Sequence, residues 1–127
     1  MTVALKLAVN GDRLNQSLDD LAQIGSLGNG GICRLAFSHE DLQGRELVRR
    51  WMLQAGLTVR CDPAGNIIGR LPGKLQKPAI ATGSHIDTVP CGGKFDGNLG
   101  VLAGIEVART LTENNLVLDH PFEVIVF

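Results

Sequence analysis

The chain has 127 residues, 44% of them hydrophobic, which suits one ordinary domain or a piece of one. Twelve Lys and Arg against thirteen Asp and Glu leave a formal charge of -1, and neither sign forms a block. Nucleic acid and membrane partners are therefore not expected. The apolar run Val3 to Val9, interrupted by Lys6, is too short for a secretory signal, and no stretch of about 18 apolar residues could span a bilayer. Cys33, Cys61 and Cys91 are an odd, widely spaced set that suits reduced thiols and a cytoplasmic setting.

In chain order, Leu14, Leu18, Leu21 and Ala22 recur at helical spacing and predict a helix from Asp12 to Gln23 ending at Gly25. Gly25 to Gly31 reads as a flexible loop. Ser38 and Asp41 have capping-box spacing, and Leu47, Val48, Trp51, Met52 and Ala55 form an apolar stripe, so a helix is expected over His39 to Ala55, closed by Gly56. Leu57 to Cys61 and Asn66 to Leu71, separated by Pro63-Ala64-Gly65, predict a hairpin. Pro72 to Pro78 is a polar loop, and Ala79 to Thr82 reads as a buried strand.

A helix over Leu99 to Glu113 is apolar nearly all round, as expected for one buried on a sheet, and Phe122 to Phe127 reads as a further buried strand. The order strand, loop, helix, strand makes the class α/β. Ending on a strand beside an apolar helix, the chain is expected to expose an unpaired edge and to dissolve poorly.

Chemistry concentrates in Gly83 to Gly104. His85 and Asp87 are two residues apart just after a strand, so both side chains leave the backbone on one side. A ligating imidazole needs its other ring nitrogen held, and Asp87 is placed to do so. Asp96 follows nine residues later within Gly92-Gly93-Lys94-Phe95-Asp96-Gly97, where glycines permit a turn back toward His85. It also precedes a helix N-terminus, which favours an ionised carboxylate able to bridge two cations. Against this, an isolated His-x-Asp is more often structural, and Asp96 has the position of a simple helix cap. A glycine loop with a lysine resembles a phosphate cradle, but Phe95 follows Lys94 where Ser or Thr is needed, and Thr88 stands in place of the first glycine. Cys91, His39 and His120 read as loop or solvated residues, and Arg34 reads as a structural surface arginine.

The run GSHIDTVPCGGKFDGNLGVLAGIEVARTL resembles the signature of the zinc-dependent amidase, hydantoinase and carbamoylase family. Arg34-Leu35-Ala36-Phe37-Ser38, Trp51-Met52, Ala55-Gly56-Leu57, Asp62 and Gly65-Asn66-Ile67-Ile68-Gly69 extend the likeness over nearly the whole chain. The resemblance implies that residues 1–127 are the N-terminal portion of a three-layer αβα two-zinc catalytic domain, ending before a Glu-Glu motif, with the lid and dimerisation domain of the homodimeric family absent. It makes His85 a ligand of one metal, Asp96 the bridging ligand, and Asp87 the catalytic-site residue that orients His85, and it implies that Arg34 faces the site as an alternative to its reading as a surface arginine. Two divalent ions are implied, zinc first, with manganese, cobalt or nickel as alternatives.

The implied substrates are small ureido or amide compounds of the N-carbamoyl amino acid or allantoate type. The short interval between Asp87 and Asp96 argues against an aminoacylase or dipeptidase of the same clan. A degenerate, non-catalytic binding module is the remaining alternative. The resemblance further implies that these 127 residues alone are inactive, since the general base and further ligands lie downstream in the family.

Overall fold

The computed structural model describes residues 7–127, so most of the apolar run from Val3 lies outside the described residues. The elements are α1 (Gly11–Gln23), α2 (His39–Gln54), β1 (Thr58–Cys61), β2 (Ile67–Leu71), β3 (Ile80–Ser84), α3 (Asn98–Glu113) and β4 (Phe122–Val126). All match the expected elements to within two residues. The start of α1 is capped by Asn10, whose side chain accepts from Arg13 N–H, and that of α2 by Ser38, which accepts from Asp41 N–H at 3.1 Å. Asp41 reciprocates one residue earlier than a strict capping box, accepting from Phe37 N–H at 2.9 Å. The hairpin turn is held by Asp62, whose carboxylate accepts from Ala64 N–H, Asn66 N–H and the Asn66 amide. These bonds, led by the Asn66 side chain, hold its carboxyl below the ordinary range.

The four strands form one sheet in the order β1-β2-β4-β3, antiparallel except for the parallel pair β3 and β4. Two expectations are corrected here. The strand after Pro78 is not buried: β3 is a sheet edge, and Ile80 is half exposed. The last strand is not an edge at all, because β4 pairs with β2 on one side and β3 on the other, with Val124 and Val126 fully enclosed. Hydrophobicity reported the burial of β4 correctly, but no local signal specifies which strands flank it. The expected unpaired edge at the chain end is therefore absent, and among the described residues the free edges belong to β1 and β3.

Helices cover one face of the sheet, α2 over β1 and β2, α3 over β3 and β4, with α1 against α3. Leu18, Leu21, Val48, Met52, Ile86, Leu102, Ile105 and Val124 form the centre of the core. The described residues thus supply the sheet and one helical layer. Register places Ile68, Arg70, Glu123 and Ile125 on the other face, where Arg70 pairs with Glu123 at 2.6 Å. Helix α3 is less enclosed than its composition predicts, with Leu99 and Val107 partly in solvent. Gly25 to Gly31, expected to be flexible, closes as a tight loop with Leu27 N–H donating to Gly31 carbonyl and a bridge between Ser26 and Ile32. Among the described residues, no helix is long and apolar enough to cross a membrane.

Glu106 on α3, almost fully enclosed, accepts from Nε and Nη2 of Arg13 and from Asn10 N–H, fastening α1 to α3. Burial opposes its charge, but Arg13 and Asn10 outweigh that and hold the carboxyl below its ordinary value. A depressed folded-state pKa contributes stability that is present above the unfolded value of about 4.3 and lost as pH falls through the folded one. Glu106→Gln is therefore expected to lower the urea midpoint at neutral pH and to flatten the acid limb of stability against pH. Gly104 marks the closest approach of α3 to the sheet: a Cβ there would lie 2.8 Å from Thr82 Cγ2 and 3.1 Å from Val124 Cγ1. Both neighbours are β-branched and stiff. Gly104→Val is expected to cost about 1–3 kcal/mol by overpacking, measured by urea denaturation.

Candidate metal centre

The parallel strands β3 and β4 end on the same side of the sheet, and the residues after β3 carry the chemistry. Ile86 is 1% exposed and its side chain joins the core, which turns the flanking His85 and Asp87 outward together. His85 Nδ1 lies 3.0 Å from the Asp87 backbone carbonyl and 3.4 Å from Asp87 Oδ1. Two oxygens facing Nδ1 place the proton there and leave the lone pair on Nε2. Of the two Asp87 contacts to the ring, the carbonyl makes the closer and the carboxylate the second.

Asp96 approaches the other nitrogen: Oδ1 is 3.9 Å from His85 Nε2. Zinc bonds to histidine nitrogen at about 2.0–2.1 Å and to carboxylate oxygen at about 2.0–2.2 Å, so one ion fits between these two atoms. The capping alternative for Asp96 is not what the structure shows, since the N-cap of α3 is Gly97, with no side-chain cap, and the Asp96 carboxylate is largely exposed. The donor set is short, however. Among the described residues, no group of three or more His, Cys, Asp or Glu is placed to hold a metal.

Gly97 is the hinge that makes the approach possible. Its φ is +70°, and a Cβ there would lie 2.5 Å from both His85 Cε1 and the His85 carbonyl oxygen. Lys94 ties the same loop to α1 through Asp19 at 2.5 Å and sits 5.0 Å over the Phe95 ring. Beside Asp87 opens a cleft of about 360 Å³, lined by Phe37, Asp41, Arg45, Asn66 and Phe127 among others. Arg45 closes one side by donating to the Gly65 carbonyl. Phe37, 93% exposed at φ +66°, stands at its rim.

Arg34 is not a surface residue. It is fully buried beneath the site, bonded to the Ile86 carbonyl and to Asn98. Sequence reading included Gly97 among the glycines that permit the turn but missed Asn98 as part of the site; it lies inside the glycine-rich motif, which was the available signal. His39 and His120 stand apart from it, His39 contacting Gln43 and His120 contacting the Pro78 carbonyl. Cys91 is exposed.

Fold and site define an α/β protein with a histidine and two carboxylates gathered at the carboxyl end of a parallel strand pair. No family model matches the chain. It is 45% identical over 122 residues to N-carbamoyl-L-amino-acid amidohydrolase of Pseudomonas sp. (strain NS671), covering 95% of this chain and 30% of that protein. To allantoate amidohydrolase of Bacillus subtilis (strain 168) it is 42% identical over 110 residues, 85% of this chain and 26% of that one. The crystal structure of a hydantoinase/carbamoylase family amidase from Burkholderia ambifaria superposes with a TM-score of 0.93 at 45% identity, over 95% of this chain and 30% of that one. The chain belongs to the hydantoinase/carbamoylase family of amidases, and it spans about 30% of the length of the curated relatives it matches most strongly.

Gly97→Ala is expected to displace the His85 ring. It should cost about 1–2 kcal/mol from the left-handed backbone alone, and a changed His85 imidazole signal by NMR is the diagnostic result.

Proposed function

We propose that this chain supplies His85, Asp87 and Asp96 to the active site of a metal-dependent hydrolase of ureido or linear amide C–N bonds. The observation that carries the reading is the His85 ring, with Nδ1 held by Asp87 and Nε2 directed toward Asp96 at 3.9 Å. His85 Nε2 would hold one divalent ion. Asp96, with two carboxylate oxygens, would bridge it to a second, zinc in both places, with manganese, cobalt or nickel as alternatives. Bound there, the ions would polarise the ureido or amide carbonyl and stabilise negative charge developing on its oxygen.

Asp87 keeps the proton on Nδ1, so that Nε2 is always available as a donor. Its second duty is electrostatic, adding negative charge behind the imidazole. The cleft beside Asp87 would receive part of a small substrate, with Phe37 and Phe127 supplying apolar walls and Arg45 and Asn66 polar ones. The general base would be the first glutamate of the Glu-Glu motif that the family resemblance implies. N-carbamoyl-L-amino acids and allantoate are the substrates proposed, because relatives named for them are 45% and 42% identical to this chain over 122 and 110 residues.

The 127-residue protein by itself is expected neither to hydrolyse these compounds nor to retain metal after dialysis. Turnover by the purified chain, abolished by His85→Ala, would overturn that. Grafted in place of the matching segment of the Pseudomonas relative, the chain is expected to support hydrolysis of N-carbamoyl-L-amino acids, with His85→Ala reducing it to background. In the same chimera Asp87→Asn is expected to weaken metal binding by about 10–100-fold, read by competition with a chelating dye. An inactive but folded and metal-loaded chimera would favour the non-catalytic binding module.

A further inference from the structure

The residues that set the distance between His85 and Asp96 lie beneath both. Arg34 is 0% exposed. Its Nε donates to the Ile86 carbonyl at 2.8 Å, Nη1 to the carbonyls of Leu21 at 2.9 Å and Ile24 at 2.7 Å, and Nη2 to Asn98 Oδ1 at 3.1 Å. Ile86 is the residue between His85 and Asp87. Asn98, itself 1% exposed, passes the connection on, its Nδ2 donating to the Lys94 carbonyl at 3.1 Å, two residues before Asp96. The Arg34 main chain adds two more bonds, N–H to Thr88 Oγ1 at 2.8 Å and carbonyl from Thr88 N–H at 2.7 Å.

A guanidinium is planar, and its donors keep fixed relative directions. Its acceptors are therefore held at fixed positions relative to one another: the end of α1, the loop carrying His85 and Asp87, and the first residue of α3. No carboxylate is bonded to it. Burial pushes its pKa down, and the nearby carboxylates of Asp41 and Asp87 oppose that shift. A cation enclosed among neutral acceptors is a costly way to stabilise a fold, since an apolar side chain of similar volume would often serve as well. Its geometry suits a different task, holding two loops in register.

We propose that Arg34, acting through Asn98, is a positioning residue that sets the separation between the loop bearing His85 and the loop bearing Asp96. The coupling of the loops stands on the hydrogen bonds alone; its consequence for metal binding rests on the function proposed above.

Amide hydrogen exchange on the 127-residue chain tests the coupling without metal. Arg34→Lys, which keeps the charge but loses the fork, is expected to accelerate exchange by about tenfold or more in residues 86–88 and 95–98 together, leaving α2 and β2 protected. Asn98→Ala is expected to accelerate the 95–98 loop only. Unchanged exchange in both loops, or uniform acceleration across the fold, would overturn the proposal; should Arg34→Lys fail to fold, Asn98→Ala decides it.

A zinc titration followed by the His85 imidazole NMR signals reads the consequence. Both variants are expected to bind zinc about 10–100-fold more weakly than the unaltered chain, and equal affinity would overturn the positioning role. A zinc-insensitive His85 in the unaltered chain would instead overturn the metal reading of the site, while the exchange result still decides whether the loops are coupled.

Discussion

The buried guanidinium of Arg34 is the interaction on which the site depends. Its carbonyl partners at Leu21 and Ile24 lie at the C-terminal end of α1, and the Leu21 carbonyl also accepts from Ile24 N–H at 3.2 Å. A further partner, Ile86, is the inward-facing centre of the His-x-Asp triplet, and Asn98 opens α3. Each of its three side-chain nitrogens donates to an acceptor, as an enclosed charge requires, because an unmet polar atom in a low-dielectric interior is expensive. Among the described residues no enclosed side-chain nitrogen or oxygen lacks a partner. Satisfying Arg34 therefore brings three segments distant in sequence to fixed positions, and the two candidate ligand loops are among them.

The sheet supplies the frame around that anchor. Because β4 sits between β2 and β3, the ends of β3 and β4 and the start of β2 come together at one rim. The cleft containing Asp87, Asn66 and Phe127 is the result. Crevices at the carboxyl ends of parallel strands are the usual ligand positions in α/β proteins, since helices and loops diverge there and leave main-chain groups accessible. Here the parallel pair is the smallest possible. It nevertheless places His85 above the strand ends and α3, with its positive N-terminal dipole, directly behind Asp96.

Membership of the hydantoinase/carbamoylase family explains why so short a chain concentrates its glycines around one histidine. The hinge at Gly97 admits the His85 ring at a distance no side chain allows, and Gly104 lets α3 press against Thr82 and Val124. These are requirements of close approach, and they tie the motif's composition to its geometry. The two-donor set is equally a matter of geometry: His85 and Asp96 face each other, and among the described residues no group of three or more His, Cys, Asp or Glu is placed to hold a metal.

Periodicity and caps made α1, α2, α3 and the hairpin legible, because those signals act within a few residues: Asn10 and Ser38 bond their own first turns, and Asp62 bonds its own loop. The His85, Asp87 and Asp96 triplet was legible too, through spacing and glycine context. The sequence by itself determined the elements, the α/β class and the motif that marks the family. Only the tertiary structure decided that β4 is central and β3 an edge, that Arg34 lies in the interior, and that Asp96 is free of capping. Strand order and the partners of a buried arginine depend on contacts between segments far apart in the chain, such as Arg34 with Asn98 and β2 with β4, and local hydrophobicity reports that a residue is enclosed without specifying what encloses it.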